Sequence, residues 1–237
     1  MLLRVLIVIP CYNEEASLPA LLQELESLQL PPEFYKEVLV VNDCSKDSTA
    51  DIARSQAVNL LNLPINLGIG GAVQSGFKYA REYNFDFAIQ LDGDGQHPPS
   101  QIIRLLEAYK IQGADIVIGS RFIENEGFQS TFIRRLGISY FHWLNRIFTG
   151  KSIYDSTSGF RLLNKKAIRF AAANYPDDYP EPESLVSFTK AGFRIAETPV
   201  RMRARTGGRS SIQNTASLFY TIKVSMGIFF SFIRKTN

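Results

Sequence analysis

The residues most able to do chemistry are two aspartates, Asp92 and Asp94, which follow a hydrophobic run in the sequence L-D-G-D-G-Q. Two carboxylates this close repel each other unless a cation lies between them. Mg²⁺ and Mn²⁺ bind oxygen ligands, and Mg²⁺ typically takes one or two protein carboxylates and completes its shell with water and substrate phosphates. The pair therefore predicts a site for Mg²⁺ or Mn²⁺ and a phosphorylated ligand. A solvated acidic turn is the alternative that the D-x-D pattern alone leaves open.

Three other polar segments stand at the ends of hydrophobic runs or before a helix. I-P-C-Y-N-E-E spans residues 9–15, V-N-D-C-S-K-D-S-T spans 41–49, and the glycine-rich N-L-G-I-G-G-A spans 66–72. Ligand sites in open α/β sheets lie at the carboxyl ends of the strands. We therefore expect these segments to converge with the aspartates on a concave site for a nucleotide and its phosphates, where Asp43 accepts hydrogen bonds from a base or ribose.

Hydrophobic patterning predicts the elements that position these segments. Short β-branched runs alternate with helical patterns in the first half, which is typical of a parallel sheet flanked by helices. The predicted strands are 3–9, 37–42, 58–63, 85–91 and 115–119, and the predicted helices are 17–28, 48–57, 70–82 and 99–112. The second half is predicted to contain helices at 134–148, from 165 and at 183–191, an extended segment at 153–163, a turn at 174–182, a strand at 195–202 and a polar loop at 203–214.

Composition and charge restrict the class of protein. The chain of 237 residues is 45% hydrophobic and 21% charged, which is typical of a globular protein with a sizeable core. Its two cysteines, Cys11 and Cys44, form no CxxC motif, so a disulfide scaffold or a structural zinc site is not expected. Residues 1–120 carry a net charge of −7 and residues 121–237 a net charge of +10. The second half therefore favours contact with phosphates or an anionic membrane surface, and the scattered basic residues argue against nucleic acid.

The last predicted helix, residues 216–233, is apolar except for Lys223. Its run without charge, residues 224–233, is shorter than the about 20 residues that a transmembrane helix needs. The sequence leaves two interpretations open, a helix lying in the membrane interface and a helix packed on the domain. The N-terminal apolar run is too short for a signal peptide, so a cytoplasmic protein is expected.

Taken in order, the motifs resemble those of the family 2 glycosyltransferases with a GT-A fold, in the branch similar to dolichyl-phosphate mannose synthase. Besides the four segments above, the resemblance includes G-S-R-F, D-S-T-S-G-F-R, G-F-R-I-A-E-T-P-V and R-T-G-G-R-S-S-I. It implies an α/β fold with a Rossmann-like, mostly parallel central sheet flanked by helices. The implied organisation is one GT-A domain at 1–214, with a nucleotide-binding half at 1–120 and an acceptor half at 121–214, followed by an amphipathic membrane-proximal helix at 215–237.

The resemblance also implies roles for individual residues. The residues implied to bind the nucleotide sugar are Pro10, Tyr12, Glu14, Asp43, Gly70, Asp92, Arg121, Asp155, Ser158 and Gly159. The implied metal ligands are Asp92, Asp94 and Gln96, and the implied acceptor-phosphate residues are Arg205, Arg209 and Ser210. Arg121 and Arg205 would place fixed positive charge where negative charge develops on the departing diphosphate. Ser211 stands where mannose synthases often have lysine, which leaves the sugar and the nucleotide open.

The implied reaction is the inverting transfer of a hexose from a UDP- or GDP-sugar to a polyprenyl or dolichyl phosphate. A lipid phosphate is ionised at neutral pH and needs no general base, whereas a saccharide hydroxyl needs one, for which Glu181 or Glu183 is available. Transfer to a saccharide hydroxyl in cell-surface polysaccharide synthesis is therefore one alternative, and a non-catalytic nucleotide-binding scaffold is a more distant one. Processive polysaccharide synthases of the same broad family carry the motif Q-x-x-R-W. This motif is absent around Trp143, the only tryptophan, so a polymerising synthase is disfavoured.

A dinucleotide-dependent oxidoreductase is disfavoured, because the third small residue of the G-x-G-x-x-G fingerprint is Val73 here. Related glycosyltransferases often continue into transmembrane helices beyond the point where this sequence ends. We therefore expect peripheral binding at the inner face of the membrane, with a separate small integral-membrane protein as an anchoring partner.

Overall fold

The computed structural model describes residues 2–123, 132–177, 180–203 and 216–233. The strands are β1 (Leu3–Cys11), β2 (Phe34–Asn42), β3 (Asn59–Asn62), β4 (Phe87–Gln90), β5 (Ile116–Ser120), β6 (Arg161–Asn164) and β7 (Ile195–Pro199). The helices are α1 (Leu18–Ser27), α2 (Thr49–Ser55), α3 (Gly68–Glu82), α4 (Ile102–Gln112, after a 3₁₀ turn at Pro99–Gln101), α5 (Phe132–Thr149), α6 (Lys165–Asn174), α7 (Pro180–Lys190) and α8 (Ala216–Ile233).

The strands form one seven-stranded sheet in the order β3-β2-β1-β4-β6-β5-β7. The described pairs are parallel except that β6 runs antiparallel to both of its neighbours, β4 and β5. Cys11 pairs with Asn42, and Val8 pairs with Gln90. The carboxyl ends of β1, β2 and β4 therefore meet at one edge of the sheet, as the sequence predicts.

The central strand β1 is buried on both faces, because Val5 to Ile9 have no exposed surface. Its odd-numbered residues lie in a core that includes Leu18, Leu21 and Leu25 of α1. Its even-numbered residues lie in a second core with Val73 and Phe77 of α3, as well as residues of α6. A continuous run of hydrophobic residues is typical of such a strand, since a parallel sheet is covered on both faces by helices.

The last helix packs on the domain through one side. Val224 and Ile228 of α8 are buried in a small apolar cluster with Val186 of α7 and Leu144 of α5. Of the two interpretations that the sequence leaves open, packing on the domain is therefore observed for this side of α8. None of the helices in the described ranges is long and apolar enough to cross a membrane.

Most predicted elements are confirmed within a few residues, and the exceptions have identifiable causes. The predicted turn at 174–182 is wrong at its end, because α7 already begins at Pro180. Proline is well tolerated in the first turn of a helix, and carboxylates there interact favourably with the helix dipole. The extended segment 153–163 contributes only Arg161–Asn164 to the sheet. The polar loop predicted at 203–214 lies, apart from Arg203, outside the described residues.

Candidate functional site

The loops that follow β1 and β2 are joined by hydrogen bonds between backbone and side chains. The backbone N–H of Asn13 donates to Oγ of Ser45 at 3.0 Å, and the N–H of Lys46 donates to Oδ1 of Asn13 at 2.8 Å. The N–H of Glu14 donates to Oγ1 of Thr49 at 2.9 Å. These bonds place two of the predicted motifs side by side at the edge of the sheet, although they are about 30 residues apart in sequence.

Tyr12 and Glu14 belong to the first of these loops. Tyr12 is half exposed, so its ring is accessible beside the ends of the strands. The Glu14 carboxylate accepts a hydrogen bond from Oγ of Ser17 at 2.7 Å, which fixes it at the start of α1. The nucleotide-binding roles of Tyr12 and Glu14 stay predictions.

Asp43 holds the glycine-rich segment over the end of β2. Its Oδ1 accepts the backbone N–H of Leu67 at 2.7 Å, and its Oδ2 accepts the N–H of Gly68 at 2.9 Å. The side chain is 3% exposed. Both oxygens therefore already have a structural function, and a carboxylate retains further lone pairs for a base or ribose.

Gly70 lies where the N-terminus of α3 meets the segment after α6. A Cβ atom at this position would clash with the backbone carbonyl oxygens of Pro176 and Asp177. Packing therefore requires glycine here whether or not the residue also contacts a nucleotide, and that contact stays a prediction.

The acidic segment 92–96 lies directly against the end of β1. A Cβ atom on Gly93 would come within 2.8 Å of Sγ of Cys11 and 3.2 Å of the carbonyl oxygen of Pro10. This close approach requires glycine and brings Pro10 beside the aspartates. The N–H of Gln96 donates to Oδ1 of Asp94 at 3.0 Å, so the turn fixes this carboxylate.

Asp92 is partly buried, and its pKa lies well above the usual value of an aspartate. Burial, followed by the charges of Asp94 and Glu181, raises the pKa of Asp92 to about 7. A carboxylate reaches such a pKa when it is desolvated beside other negative charges, here only partly offset by Arg121 and by a hydrogen bond from Gln90. A divalent cation between Asp92 and Asp94 would reverse this effect, so the donor set fits Mg²⁺ or Mn²⁺. Within the described ranges, no group of three or more His, Cys, Asp and Glu side chains forms a metal site.

This perturbed carboxyl predicts a pH dependence of metal affinity. Below about pH 7 the metal-free protein carries a proton on Asp92 that the cation must displace. The apparent affinity for Mn²⁺ should therefore rise with pH by up to about tenfold per unit and level off above about pH 7. Mn²⁺ titrations between about pH 5.5 and about pH 8 measure this, and an affinity independent of pH below 7 would contradict it. Asp92→Asn is the control in which the dependence should disappear.

Ser158 and Gly159 bring the second half of the chain onto the aspartates. Oγ of Ser158 donates to the carbonyl oxygen of Gly119 at 2.7 Å, and Ser158 is buried. A Cβ atom on Gly159 would lie 2.7 Å from Nε2 of Gln90 and 3.1 Å from Oδ1 of Asp92. Glycine at 159 therefore leaves room for the Asp92 carboxylate, and the structure brings these predicted residues together.

Arg121 and Asp155 form a bidentate ion pair beside this site. Nε and Nη2 of Arg121 each donate to a carboxylate oxygen of Asp155 at 2.6 Å, and the Arg121 backbone N–H donates to Oδ2 at 3.1 Å. Asp155 is fully buried. Burial lowers the pKa of Arg121. This effect is outweighed by the hydrogen bonds and charge of Asp155 and by the charges of Asp92 and Glu181, so the pKa is raised overall. Nη1 points to Sδ of Met202 at 3.9 Å, a weak acceptor, which leaves hydrogen-bonding capacity for a phosphate.

Glu181, expected in a turn, and Glu183, expected at the start of a helix, both lie in the first turn of α7 and face different surroundings. Burial raises the pKa of Glu181, which interacts electrostatically with Arg161, Arg121 and Asp92. The Glu183 carboxylate lies against Gly227 of α8, where an added Cβ atom would clash with it. Of the two candidate bases, Glu181 is therefore the one beside the aspartates. The predicted residues Arg205, Arg209 and Ser210 lie outside the described residues.

Two charged residues, one buried and one partly buried, support the site although the sequence analysis assigned them no role. Arg161 is 1% exposed and donates to the carbonyl oxygens of Ser158 at 2.6 Å and Ser156 at 2.9 Å. Glu197 accepts the backbone N–H groups of Tyr154 and Asp155, both at 2.8 Å. Together these residues fix the segment that carries Asp155 and Gly159. The sequence signal that could have identified these two residues is a charge within a hydrophobic strand. A charge that is buried there is normally paired with another group.

Comparison with known proteins defines the class. The chain matches the model of the family described as glycosyl transferase family 2 over residues 6–170, and it belongs to that family. The crystal structure of glucosyl-3-phosphoglycerate synthase from Mycobacterium tuberculosis, in complex with Mn²⁺, UDP and glucosyl-3-phosphoglycerate, superposes with a TM-score of 0.71. The match covers 99% of this chain and 81% of that chain at 16% identity, and the predicted GT-A fold is confirmed.

Two relatives are more similar in sequence. The undecaprenyl-phosphate mannosyltransferase of Micrococcus luteus is 35% identical over 219 residues, which cover 89% of this chain and 88% of that protein. The polyprenol monophosphomannose synthase of Mycolicibacterium smegmatis is 28% identical over 222 residues, which cover 90% of this chain and 82% of that protein. The resemblance derived from the motifs is thereby confirmed.

Proposed function

We propose that this protein transfers a hexose, with inversion, from a nucleotide diphosphate sugar to a polyprenyl or dolichyl phosphate at a membrane surface. The observation that carries the proposal is the convergence of Asp92 and Asp94 with Arg121 at the end of the sheet. Two relatives with most of their length matched are named for transfer of mannose to polyprenyl phosphates, which supports this class of acceptor.

The residues present fit a divalent cation held by Asp92 and Asp94, with Gln96 as the third predicted ligand. When bound, the cation would act as a Lewis acid for the diphosphate leaving group. Arg121, held rigidly by Asp155, places preorganised positive charge near the same position. The lipid phosphate oxygen attacks the anomeric carbon while the bond from that carbon to the nucleotide diphosphate breaks, and the nucleotide diphosphate leaves with the electron pair.

Transfer to a saccharide hydroxyl is the second candidate, and the position of Glu181 is the observation that favours it. A general base must remove the hydroxyl proton, and burial raises the pKa of Glu181, as is common for catalytic carboxylates. The two candidates differ in their need for this base. Glu181→Gln should therefore lower transfer to a saccharide by about 10²–10⁴-fold but affect transfer to a lipid phosphate much less. Glu183→Gln, on the side of α7 that faces α8, is the matched control.

The proposed function is tested by nucleotide release from UDP- and GDP-hexoses with Mg²⁺ or Mn²⁺. Polyprenyl phosphate and a panel of saccharides are offered as acceptors in separate reactions. We expect release to require both the lipid phosphate and the metal. Release with a saccharide alone would favour the second candidate, and nucleotide binding without release under any condition would favour a scaffold.

An exposed apolar surface supports action at a membrane. It comprises Trp143 and Ile147 of α5 with Met226, Phe229, Phe230, Phe232 and Ile233 of α8. We refer to these seven residues as the apolar face. Trp143 is 58% exposed and Phe230 is 54% exposed. Aromatic residues on a helix that also presents lysine or arginine favour the interface of an anionic membrane. Lys223 and Arg146 are exposed on the same two helices.

The apolar face predicts reversible binding to lipid vesicles. Trp143→Glu combined with Phe230→Glu should weaken sedimentation with anionic vesicles by at least about tenfold, because each large apolar side chain buried is worth about 1.5–3 kcal/mol. Ile111→Glu on α4, where the isoleucine is 84% exposed, is the matched control and should bind normally. Equal loss of vesicle binding in the control and in the double variant would contradict a specific membrane face.

The inner-face location, the anchoring partner and the division of the chain at residue 214 stay predictions.

A further inference from the structure

Arg203 connects the acidic segment to α1. Its backbone N–H donates to the carbonyl oxygen of Gln96 at 2.9 Å, and its Nε donates to the carbonyl oxygen of Gly95 at 2.6 Å. Its Nη2 forms an ion pair with Oε1 of Glu24 on α1 at 2.8 Å. One residue, more than 100 positions away in sequence, therefore contacts two successive carbonyl groups of the acidic segment.

These two carbonyl groups belong to the turn that orients Asp94. The N–H of Gln96 donates to the Asp94 carboxylate, so the peptide groups around Gly95 determine where that carboxylate points. Gly95 has a positive φ of 71°, a conformation that glycine readily adopts but does not prefer over its alternatives. Contacts from outside the turn are therefore needed to keep it in one conformation.

The ion pair with Glu24 is the weaker part of this arrangement. Both side chains are more than a third exposed, 37% for Arg203 and 39% for Glu24. Exposed ion pairs contribute little, whereas a charge-assisted hydrogen bond to a carbonyl group also fixes the direction of the peptide. The Arg203 side chain is thus expected to contribute through Gly95 rather than through Glu24, whereas the bond to Gln96 comes from the backbone N–H and is kept in any substitution.

We propose that Arg203 is a positioning residue, which holds the turn at Gly95 and Gln96 so that Asp94 is preorganised for a divalent cation and the nucleotide diphosphate. This inference rests on the proposed function, because it presupposes a metal–nucleotide site at the acidic segment. Arg203 also stands two residues before Arg205, a predicted phosphate-binding residue.

The test is a titration of the full chain with Mn²⁺ followed by electron paramagnetic resonance, in the presence of UDP and, separately, GDP. Arg203→Ala should weaken Mn²⁺ binding by about 10–100-fold, the usual range for residues that orient metal ligands. Arg203→Lys keeps the charge but not the fork geometry, so an intermediate loss is expected. Glu24→Gln should change the affinity by no more than about fivefold. Arg54→Ala, which removes an arginine from an exposed ion pair with Asp51, should leave the Mn²⁺ affinity unchanged.

Mn²⁺ affinity within about twofold of the wild type in both Arg203 variants would overturn the inference, since outer-shell substitutions typically cost at least tenfold. A loss that merely follows the fraction of unfolded protein, measured by circular dichroism on the same samples, would overturn it as well. If Arg203→Ala does not fold, Arg203→Lys decides. If the wild type binds Mn²⁺ with a nucleotide but releases no nucleotide from any sugar donor, the proposed reaction is wrong, and the comparison of variants still decides the role of Arg203. Absence of Mn²⁺ binding by the wild type would overturn both.

Discussion

Replacing Asp94 with alanine should reduce metal-dependent nucleotide release by about 10²–10³-fold, the usual cost of removing a group that stabilises charge in a transition state. The backbone N–H of Gln96 fixes the direction of the Asp94 carboxylate. Its removal leaves Asp92 as the single aspartate at the predicted metal position. Removal of Asp94 should also lower the pKa of Asp92, because the Asp94 charge is one of the causes that raise it.

The comparison uses steady-state release of UDP or GDP at saturating donor, with stability followed in parallel by thermal denaturation. Asp51→Asn is the matched control, because its exposed carboxylate pairs with Arg54 away from the site. We expect the control to retain full activity and Asp94→Ala to retain its fold. Undiminished, metal-dependent turnover by Asp94→Ala would show that the cation binds elsewhere.

Asp155→Asn should lower the free energy of unfolding by about 3–5 kcal/mol, the range measured when one partner of a buried ion pair is removed. Asp155 is fully buried, and Arg121 has 13% of its side chain exposed. Asparagine can accept from Arg121 through one oxygen, but it provides no negative charge. The guanidinium would then be left close to the site without a fixed direction, so activity should fall together with stability.

Urea denaturation measures the loss of stability in Asp155→Asn. A double-mutant cycle built from Arg121→Met, Asp155→Leu and their combination isolates the interaction between the two side chains. Arg121→Met combined with Asp155→Leu removes both charges and should recover part of the stability, but not the activity. Arg54→Ala, in an exposed pair, should change the unfolding free energy by less than about 1 kcal/mol. Additive effects of the Arg121 and Asp155 substitutions would contradict the pairing described here.

The first half of the site could be predicted from the sequence because its information is local. Each polar segment follows a hydrophobic run that is continuous enough to define a buried strand, and parallel strands bring their carboxyl ends together. Asp92 and Asp94 are therefore located by the run 85–91 that precedes them, and Asp43 by β2. The apolar segment 216–233 indicates the C-terminal helix α8 for the same reason, since its apolar composition is nearly continuous.

The second half could not be predicted in this way, because its geometry depends on contacts distant in sequence. The strand β6 inserts antiparallel between β4 and β5, and no local pattern specifies that order. Residues before Arg161 leave the sheet and accept hydrogen bonds from Arg121 and Arg161. The hydrogen bonds that Glu197 accepts from the backbone N–H groups of Tyr154 and Asp155 join positions more than 40 residues apart. The motifs indicate that the segment around Asp155 has a function. Only the tertiary structure shows which charged residue pairs with which.

The position of the cation tests the account most directly. Crystals of the protein grown with Mn²⁺ and UDP or GDP would give an anomalous difference map collected near the manganese absorption edge. We expect a peak within coordination distance of the carboxylates of Asp92 and Asp94, with the diphosphate as a further ligand. A manganese peak at another place, or an ordered nucleotide diphosphate with no peak beside these two aspartates, would contradict it.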